Sequence, residues 1–364
     1  MTNSTAMPKA PSPPTTDAHA NRRDASATRM HQEAAQAPEV VRTQLQANAD
    51  AVHRIGALLR DMAPRAVVTC ARGSSDHAAT FARYLIESRT NVLTSSVAPS
   101  LSSLYEARTD FSNVLFVAIS QSGKSPDLLA ATQSAKRGGA CVVALCNSME
   151  SPLVALADHA LPLCAGPETS IAATKSYIAS LSAIVHLVAS WTEDRPLLGA
   201  LLRAPELLAR AWQQDWSRAL PVLQNAVNLY VVGRGLGLGI AQEAALKLKE
   251  TCGLHAEGFS AAEVKHGPMA LIGAGFPVLM LSQNDESRAG IDELGREFVG
   301  RGAHVLTAGA DVADAIALPT VPAHAVLEPL LMIQSFYRMA AALAIARGLD
   351  PDTPPHLNKV TETL

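Results

Sequence analysis

Short apolar segments of strand character alternate with longer segments of helical period along most of this chain. We predict strands at residues 66–70, 91–95, 114–120, 141–146 and 160–164, and again at 229–232, 278–282, 304–308 and 316–318. The helical segments between and after them are 76–88, 126–136, 176–191, 240–252, 287–301 and 330–347. Strands that alternate with helices in this way form parallel sheets covered by helices on both faces. The pattern therefore predicts an α/β protein.

Two segments resemble each other at a domain-sized distance. Residues 67–85, VVTCARGSSDHAATFARYL, and residues 230–248, YVVGRGLGLGIAQEAALKL, each contain a strand ending in Arg-Gly, a loop of small residues and a helix. Gly73 and Gly235 are 162 positions apart, which is too far for a solenoid repeat. We therefore expect two homologous α/β domains in tandem, each with a parallel sheet flanked by helices on both faces.

The two domains account for most of the chain. Residues 1–29 are rich in Pro, Ser, Thr and Ala and carry almost nothing apolar, which predicts a disordered N-terminal tail. A helix at 39–62 opens the first domain, which we place at 30–210. The second domain is placed at 211–350, and residues 351–364 form a C-terminal tail.

Composition argues against several classes of function. Charged residues make up 17% of the 364 residues and the formal net charge is −3, so a sequence-wide surface for nucleic acid is not expected. No segment reaches the ~18 uninterrupted apolar residues of a membrane span. The five cysteines form no CxxC pair and no secretory signal precedes them, a pattern typical of reduced thiols in the cytosol. We expect a cytoplasmic protein that binds neither nucleic acid nor membrane.

A loop of small hydroxyl residues follows the strand predicted at 114–120. It reads I-S-Q-S-G-K-S and leads into a helix opened by Pro126. Loops at the carboxyl ends of parallel strands bind ligands, and hydroxyls together with helix N-terminal amides can hold a phosphate. The alternative is a turn built from ordinary N-cap residues. The candidate phosphate ligands are Ser120, Gln121, Ser122 and Ser125.

Two further loops are expected at the same edge of the sheet. Ser74 and Ser75 follow the first strand, so they could converge on the same anion. Residues 166–175, GPETSIAATK, lie between a strand and a helix and could form a wall of the pocket. The candidate contacts in this third loop are Ile171, Ala172 and Ala173.

Sequence motifs for nucleotides and metals do not fit. The glycine run at 233–239 has Leu238 where a dinucleotide fingerprint needs its third glycine, and no P-loop sequence is present. The histidines do not cluster at metal-ligand spacing. We therefore expect no nucleotide cofactor and no metal.

The densest group of polar residues lies at 243–266. Helical spacing places Glu243, Lys247 and Glu250 on one stripe, whose usual fate is an exposed ladder of ion pairs. Because this helix follows a buried strand, one of its ends should face the carboxyl edge of the sheet, which would bring Glu250 near a ligand. His266, in Lys-His-Gly-Pro, is either a structural turn residue or a proton shuttle.

Lys359 lies in the polar C-terminal segment P-P-H-L-N-K-V-T-E-T-L. Such a segment is normally a frayed end. If it folds back over a pocket, Lys359 could instead act as a Schiff-base or acid–base lysine.

Four motifs in one order carry a family resemblance. They are S-Q-S-G-x-S at 120–125, GPETSIAATKSY at 166–177, ALKLKE…HAE…E-x-K-H-G-P at 245–268 and Lys-Val-Thr at 359–361. From residue 30 to 364 the chain resembles the sugar isomerase (SIS) superfamily, and specifically the isomerase half of glucosamine-6-phosphate synthase. The resemblance implies two SIS domains in a homodimer whose active sites lie near the subunit interface, with no metal and no cofactor.

The resemblance also implies a role for each candidate residue. Glu250 would move a proton between C1 and C2 of the sugar, with Lys247 as its polar partner. His266 would open the sugar ring from the neighbouring subunit. Lys359 would form an imine with the keto sugar, and the tail 351–364 would fold over the active site. The sugar-phosphate clamp would consist of Ser120, Gln121, Ser122 and Ser125, with Ser74 and Ser75 contributing.

Departures from the synthase point towards a deaminase. The segment before the SIS domains is short and holds no cysteine, whereas the synthase carries a glutaminase domain there, so we expect that glutamine is not the nitrogen donor. R-G-S-S-D-H-A at 72–78 and the ending K-V-T-x-T-L resemble SIS-type glucosamine-6-phosphate deaminases, which lack a glutaminase. Alternatives are an ammonia-dependent synthase, a galactosamine-6-phosphate deaminase, a fructosamine-6-phosphate deglycase and, outside enzymes, a sugar-phosphate sensor.

Overall fold

The computed structural model describes residues 24–105 and 107–359, and this part of the chain contains two five-stranded parallel sheets. The first sheet consists of β1 (Ala66–Cys70), β2 (Thr94–Ser96), β3 (Val114–Ser120), β4 (Cys141–Cys146) and β5 (His159–Pro162). The second consists of β6 (Asn228–Gly233), β7 (His255–Ser260), β8 (Pro277–Leu281), β9 (His304–Ala308) and β10 (Ile316–Leu318). Their strand orders are β2-β1-β3-β4-β5 and β10-β9-β8-β6-β7. Read from its other edge, the second sheet repeats the first.

Helices flank both sheets, so the predicted α/β class with two tandem repeats is confirmed. The α-helices of the first half are α1 (Arg29–Ala35), α2 (Ala37–Met62), α3 (Ser74–Thr90), α4 (Ser100–Ser103), α5 (Pro126–Arg137), α6 (Pro152–Leu156) and α7 (Lys175–Trp191). Those that follow are α8 (Arg195–Leu201), α9 (Ala204–Trp212), α10 (Leu220–Leu223), α11 (Leu236–Cys252), α12 (Arg288–Gly300) and α13 (Glu328–Ala346). Short 3₁₀ helices occur at Ala25–Ala27, Ser217–Ala219, Glu263–His266 and Pro268–Leu271.

The core is aliphatic and continuous between the two sheets. All seven residues of β3 are buried, as expected for a central strand covered on both faces. Helix α13 is the one helix of residues 24–105 and 107–359 that is long and apolar enough to cross a membrane. Because 78% of its most apolar window is buried inside the protein, it has the character of a core helix.

Helices α3 and α11 pack closely across the boundary between the two sheets. At Gly239 on α11, a Cβ atom would lie 2.7 Å from the carbonyl oxygen of His77 and 3.1 Å from the Phe81 Cβ atom, both on α3. Only a residue without a side chain permits this approach. The two repeats are therefore joined through their equivalent helices.

The predicted disordered tail, 1–29, is wrong in its last residues, and residues 1–23 lie outside the described residues. Ala25–Ala27 form a 3₁₀ helix, and the Thr28 side chain caps α1. The buried carboxylate of Asp352 accepts hydrogen bonds of 2.9 Å from the first two backbone N–H groups of α1. A partner more than 300 positions away fixes this segment, and its local composition could not reveal that.

Two other expectations need adjustment. The sequence does not predict strand β7, because H-A-E-G-F-S shows neither clear alternation of apolar and polar residues nor strong β propensity. In the structure this strand lies at the edge of its sheet and pairs with β6. The boundary proposed at residue 210 falls inside α9. The domain boundaries remain predictions.

Candidate active site

A cleft of about 500 Å³ opens at the carboxyl edge of the first sheet. The loops after β1 and β3, part of the loop 166–175, the last turn of α11 and residues 357–359 form its walls. Parallel strands bring their carboxyl ends to one edge, so loops that are distant in sequence converge there. The predicted site residues that line the cleft are Ser74, Ser75, Ser120, Gln121, Ser122, Ser125, Ile171, Ala173, Glu250 and Lys359.

The serine-rich loop after β3 holds its shape by hydrogen bonds within the loop. The Ser120 hydroxyl accepts a hydrogen bond of 3.0 Å from the Gly123 N–H group. Gly123 has φ +64°, and a Cβ atom there would lie 2.2 Å from the Ser151 hydroxyl, so glycine is required. Ser125 is the N-cap residue of α5, but its side chain makes no capping hydrogen bond. The Ser125 hydroxyl therefore has no capping role in α5, and the binding role of this loop stays a prediction.

A cation that the sequence reasoning missed lies beside this loop. The Arg72 side chain is 54% exposed, lines the cleft and donates a hydrogen bond of 2.7 Å from Nε to the buried carboxylate of Asp127. A guanidinium fixed in this way can offer its remaining N–H groups to a phosphate. The candidate phosphate cradle, which we define as Arg72 with the loop 120–125, therefore carries a positive charge. The Arg-Gly pair that follows β1 was the sequence signal for it.

Burial removes one potential nucleophile from the site. The Cys70 thiol lies in the last residue of β1, and its burial, followed by the charge of Asp127, raises the pKa of Cys70 to about 12. Thiolates rather than thiols are nucleophilic. Cys70 is therefore a neutral core residue at ordinary pH.

Glu250 reaches the cleft by a route that differs from the predicted one. The N-terminal end of α11, not its last turn, lies at the carboxyl edge of its own sheet, next to the end of β6. Glu250 is at the opposite end of the helix and lines the cleft of the first sheet. The packing of α11 against α3 brings this end across the domain boundary.

The stripe on α11 is buried, so the exposed-ladder alternative is wrong. The side chains of Glu243 and Lys247 are 0% and 1% exposed, and that of Glu250 is 19% exposed. The Lys247 ammonium donates a hydrogen bond to Glu250 and lies 3.6 Å from the Glu243 carboxylate. Burial acts to lower the pKa of Lys247, but the two carboxylates outweigh it and raise this pKa above its ordinary value. Lys247 does not line the cleft itself but places a positive charge behind Glu250.

Glu243 is satisfied from both domains. Its carboxylate accepts a hydrogen bond of 3.1 Å from the Tyr337 hydroxyl and lies 3.0 Å from Nδ1 of His77 on α3. Burial first, and the Glu243 charge second, raise the pKa of Tyr337 well above its usual value, so the phenol keeps its proton. These contacts hold the Glu243 carboxylate in place beside the Lys247 ammonium, which in turn contacts Glu250.

Lys359 is held against the cleft rather than frayed. Its ammonium donates a hydrogen bond of 2.7 Å to the Ser170 carbonyl oxygen and lies 3.4 Å from the Glu168 carboxylate. Glu168 is buried and also accepts hydrogen bonds from the N–H groups of Thr174 and Ser176. Sequence reasoning missed Glu168, although an acidic residue between a strand and a helix in GPETS was a visible signal.

Besides Lys247, two predicted residues do not line the cleft. Ala172 is fully buried between Ile171 and Ala173, because the loop turns this residue into the core. His266 lies on the 3₁₀ helix Glu263–His266 at the surface of the second domain, away from the cleft of the same chain. Its contribution from a neighbouring subunit stays a prediction.

No three His, Cys, Asp or Glu side chains within residues 24–105 and 107–359 come together in a group that could hold a metal ion.

The two-sheet architecture matches a known protein family. A sequence profile described as the SIS domain matches residues 63–190 and 222–317, which together are more than half of the chain. The chain belongs to the SIS domain family. The two matched segments cover the two sheets, so each sheet is the centre of one SIS domain.

Curated SIS-domain relatives are longer proteins. The chain is 34% identical over 307 residues to the glutamine–fructose-6-phosphate aminotransferase (isomerizing) of Aeropyrum pernix, covering 79% of this chain and 49% of the relative. The protein of the same name from Pyrococcus horikoshii is 32% identical over 344 residues, covering 91% of this chain and 57% of the relative. The chain thus spans about half the length of these relatives.

Solved structures share the whole fold. A protein from Silicibacter pomeroyi described as a candidate phosphosugar isomerase has 43% identity and a TM-score of 0.86, over 89% of this chain and 100% of that one. The C-terminal domain of glucosamine-fructose-6-phosphate aminotransferase from Francisella tularensis has 24% identity and a TM-score of 0.80, over 94% and 100%. Glucosamine-6-phosphate deaminase from Thermotoga maritima has 20% identity and a TM-score of 0.73, over 92% and 100%. The last two similarities establish the fold alone.

Proposed function

We propose that this SIS-domain chain is an amino-sugar-phosphate isomerase that works as a glucosamine-6-phosphate deaminase. The observation that carries the proposal is that one cleft gathers the serine-rich loop, Glu250 and Lys359. Phosphate donors, a carboxylate base and an amine are the groups that this reaction needs. The names of the relatives support a phosphosugar substrate.

The cradle would fix the substrate through its phosphate. Hydroxyl and amide donors of the loop 120–125, with the Arg72 guanidinium, suit a dianion. Binding energy at this remote group would then orient C1 and C2 of the sugar against Glu250. The tail around Lys359 would cover the sugar end of the cleft and exclude water from it.

Proton transfer would be the task of Glu250. After ring opening, its carboxylate would remove the C2 proton of the open-chain aldehyde, and the proton would return at C1 through an enolamine. The product is an imine at C2, and its net hydrolysis, by way of Lys359, would give ammonia and fructose 6-phosphate. The Lys247 ammonium, which donates a hydrogen bond to Glu250, would orient this carboxylate.

Lys359 would act on the imine at C2. Its neutral amine could add to that carbon and displace ammonia, which leaves an imine between Lys359 and the keto sugar. Water would then hydrolyse this second imine and restore the lysine. The contact with Glu168 and the Ser170 carbonyl would hold the amine at the edge of the cleft until the sugar enters.

The direct test is to incubate the purified chain with glucosamine 6-phosphate and to measure ammonia and fructose 6-phosphate. Glu250→Gln should lower the rate at least about 100-fold, as loss of a general base does. Glu257→Gln, on the exposed edge strand β7, is the matched control and should leave the rate unchanged. Sugar-phosphate binding without ammonia release in the unmodified protein would defeat the deaminase proposal and favour a sensor.

A second candidate is an isomerase half that builds the amino sugar. The curated relatives carry the aminotransferase name and are about twice as long as the matched region, which favours this reading. Supplying fructose 6-phosphate with ammonium and measuring glucosamine 6-phosphate tests it. Turnover of galactosamine 6-phosphate and fructosamine 6-phosphate in the same assay separates the remaining deaminase and deglycase alternatives.

We also propose a homodimer in which His266 completes the site of the partner. Its exposed position away from the cleft of its own chain motivates this proposal. The inactive variants Glu250→Gln and His266→Asn are mixed after reversible dissociation, so that half of the dimers formed contain one chain of each variant. Each mixed dimer would hold one intact site out of two, so the mixture should regain about a quarter of the wild-type rate. If His266 acts within its own chain, mixing restores nothing.

A further inference from the structure

A second cleft, of about 470 Å³, lies at the carboxyl edge of the second sheet. It is the topological counterpart of the candidate active site, because both sheets have the same strand order. In the first domain the cleft is bordered by the end of α11, and in the second domain by Ser88 and Arg89 near the end of α3. The two clefts therefore have equivalent neighbours.

The loops at the two clefts repeat each other in sequence, and Asn284, Asp285 and Glu286 are the residues of the second loop that line its cleft. Ser120-Gln121 at the end of β3 corresponds to Ser282-Gln283 at the end of β8, at the same offset of 162 residues that relates Gly73 to Gly235. At that offset Ser125 corresponds to Ser287, and each is the N-cap residue of the following helix, α5 or α12. The second domain thus keeps three of the candidate phosphate ligands, whereas Leu236, Gly237 and Asn284 stand at the positions of Ser74, Ser75 and Ser122.

The decisive difference lies at the position of Gly123. Its counterpart at the same offset is Asp285, whose carboxylate accepts hydrogen bonds from the Ser287 N–H group at 2.9 Å, from the Ser287 hydroxyl at 2.5 Å and from the Gln283 side-chain amide at 2.7 Å. Gln283 is fully buried, so this amide donor is preorganised. A carboxylate thus uses the donors that correspond to those of the first cleft.

The loop has also lost an internal hydrogen bond. The Gly123 N–H group donates to the Ser120 hydroxyl, but the Asp285 N–H group donates to the Gln283 carbonyl oxygen instead. The Ser282 hydroxyl is 1% exposed and has no hydrogen-bond partner among the described residues. A buried hydroxyl with unused hydrogen-bonding capacity is left beside the cradle.

We propose that the second SIS domain holds a phosphomonoester cradle whose anion position is occupied by the chain's own Asp285 carboxylate. Carboxylates and phosphates are both oxyanions that accept hydrogen bonds from amides and hydroxyls at a helix N-terminus. Asp285 therefore limits the chain to one phosphosugar per protomer and closes the second cleft to such ligands. This inference rests on the proposed function, which assigns phosphate to the first cradle.

The test counts binding sites for sorbitol 6-phosphate, an open-chain phosphosugar that cannot isomerise, by equilibrium dialysis on the full chain. Wild-type protein should bind one molecule per chain, and Asp285→Gly should bind two. Glu286→Gly is the matched control, because it removes a neighbouring exposed acid from the same cleft without touching the cradle, and it should bind one. A second binding site in both Asp285→Gly and Glu286→Gly, or in neither of them, overturns the inference.

Asp285→Ser provides a second variant in case the glycine variant does not fold. It too should bind two molecules per chain, and inorganic phosphate should raise its melting temperature more than that of the wild type, because phosphate then replaces the lost carboxylate. Equal phosphate effects on the two folded proteins would contradict the inference. Absence of binding to the wild type, by contrast, would overturn the proposed function and not this assignment, provided that Asp285→Gly or Asp285→Ser binds one molecule.

Discussion

Replacement of Lys247 tests the buried charge cluster most sharply. Lys247→Met keeps the length of the side chain and removes the ammonium that lies between Glu243 and Glu250. Glu243 is fully buried, so its carboxylate would lose its cationic partner and keep only Tyr337 and His77. Breaking a buried pair in this way costs about 3–5 kcal/mol. We expect a loss of this size in the free energy of unfolding, and a loss of turnover in addition.

A double variant separates the loss of stability caused by the broken charge pair from the loss caused by altered packing. The double variant Glu243→Gln with Lys247→Met removes both buried charges, so it should be more stable than Lys247→Met alone, within about 1–2 kcal/mol of the wild type. Lys249→Met, an exposed lysine on the same helix, should change stability by less than about 0.5 kcal/mol. Urea unfolding followed by circular dichroism measures all three. A double variant less stable than Lys247→Met would refute the reasoning.

The same pair has a defined pH dependence. The pKa of Lys247 is raised in the folded protein above its ordinary value of 10.5. The stabilisation is therefore fully present below pH 10.5 and is lost as the pH rises through the folded-state pKa. The difference in stability between wild type and Lys247→Met should shrink above pH 10.5 and stay constant from pH 7 to 9.

Three further predictions concern the cleft and the core. Arg72→Ala should raise KM for glucosamine 6-phosphate about tenfold, because it removes a charge-assisted hydrogen bond to the phosphate. Lys124→Ala, whose side chain lies outside the cleft lining, should leave KM unchanged. Equal effects of the two substitutions on KM would contradict the role of Arg72. Burial lowers the pKa of His186 to about 4, so the stability of the wild type should fall as the pH drops from 6.5 towards 4. His186→Leu should flatten that fall, measured by urea titrations at each pH. If stability falls equally with pH in both proteins, the role of His186 is contradicted. Gly123→Ala should destabilise more than Gly166→Ala in thermal melts, because both have positive φ but only Gly123 lacks space for a Cβ atom.

Local rules were sufficient for much of the fold and half of the site. Periodicity located β3 and α11, and the rule that parallel strands end at one edge brought Ser74 and Ser120 into a single cleft. Helical spacing also placed Glu243, Lys247 and Glu250 on one stripe. These are properties of short segments and of sheet geometry, so the sequence contains them directly.

Long-range packing decided what the sequence could not reveal. The burial of the Glu243–Lys247 pair depends on α3 and α13, which bring His77 and Tyr337 to it from distant parts of the chain. Glu168 became a site residue only because Lys359 folds back onto the loop 166–175. The route of Glu250 to the other domain's cleft has the same origin, since no local pattern specifies which ends of two helices meet.

A crystal structure of the chain with bound fructose 6-phosphate tests the central claim most directly. We predict that the phosphate lies within hydrogen-bond distance of the loop 120–125, with C1 and C2 facing Glu250 and Lys359. A sugar phosphate bound elsewhere, or a phosphate in this cleft with its sugar carbons turned away from Glu250, would contradict the account.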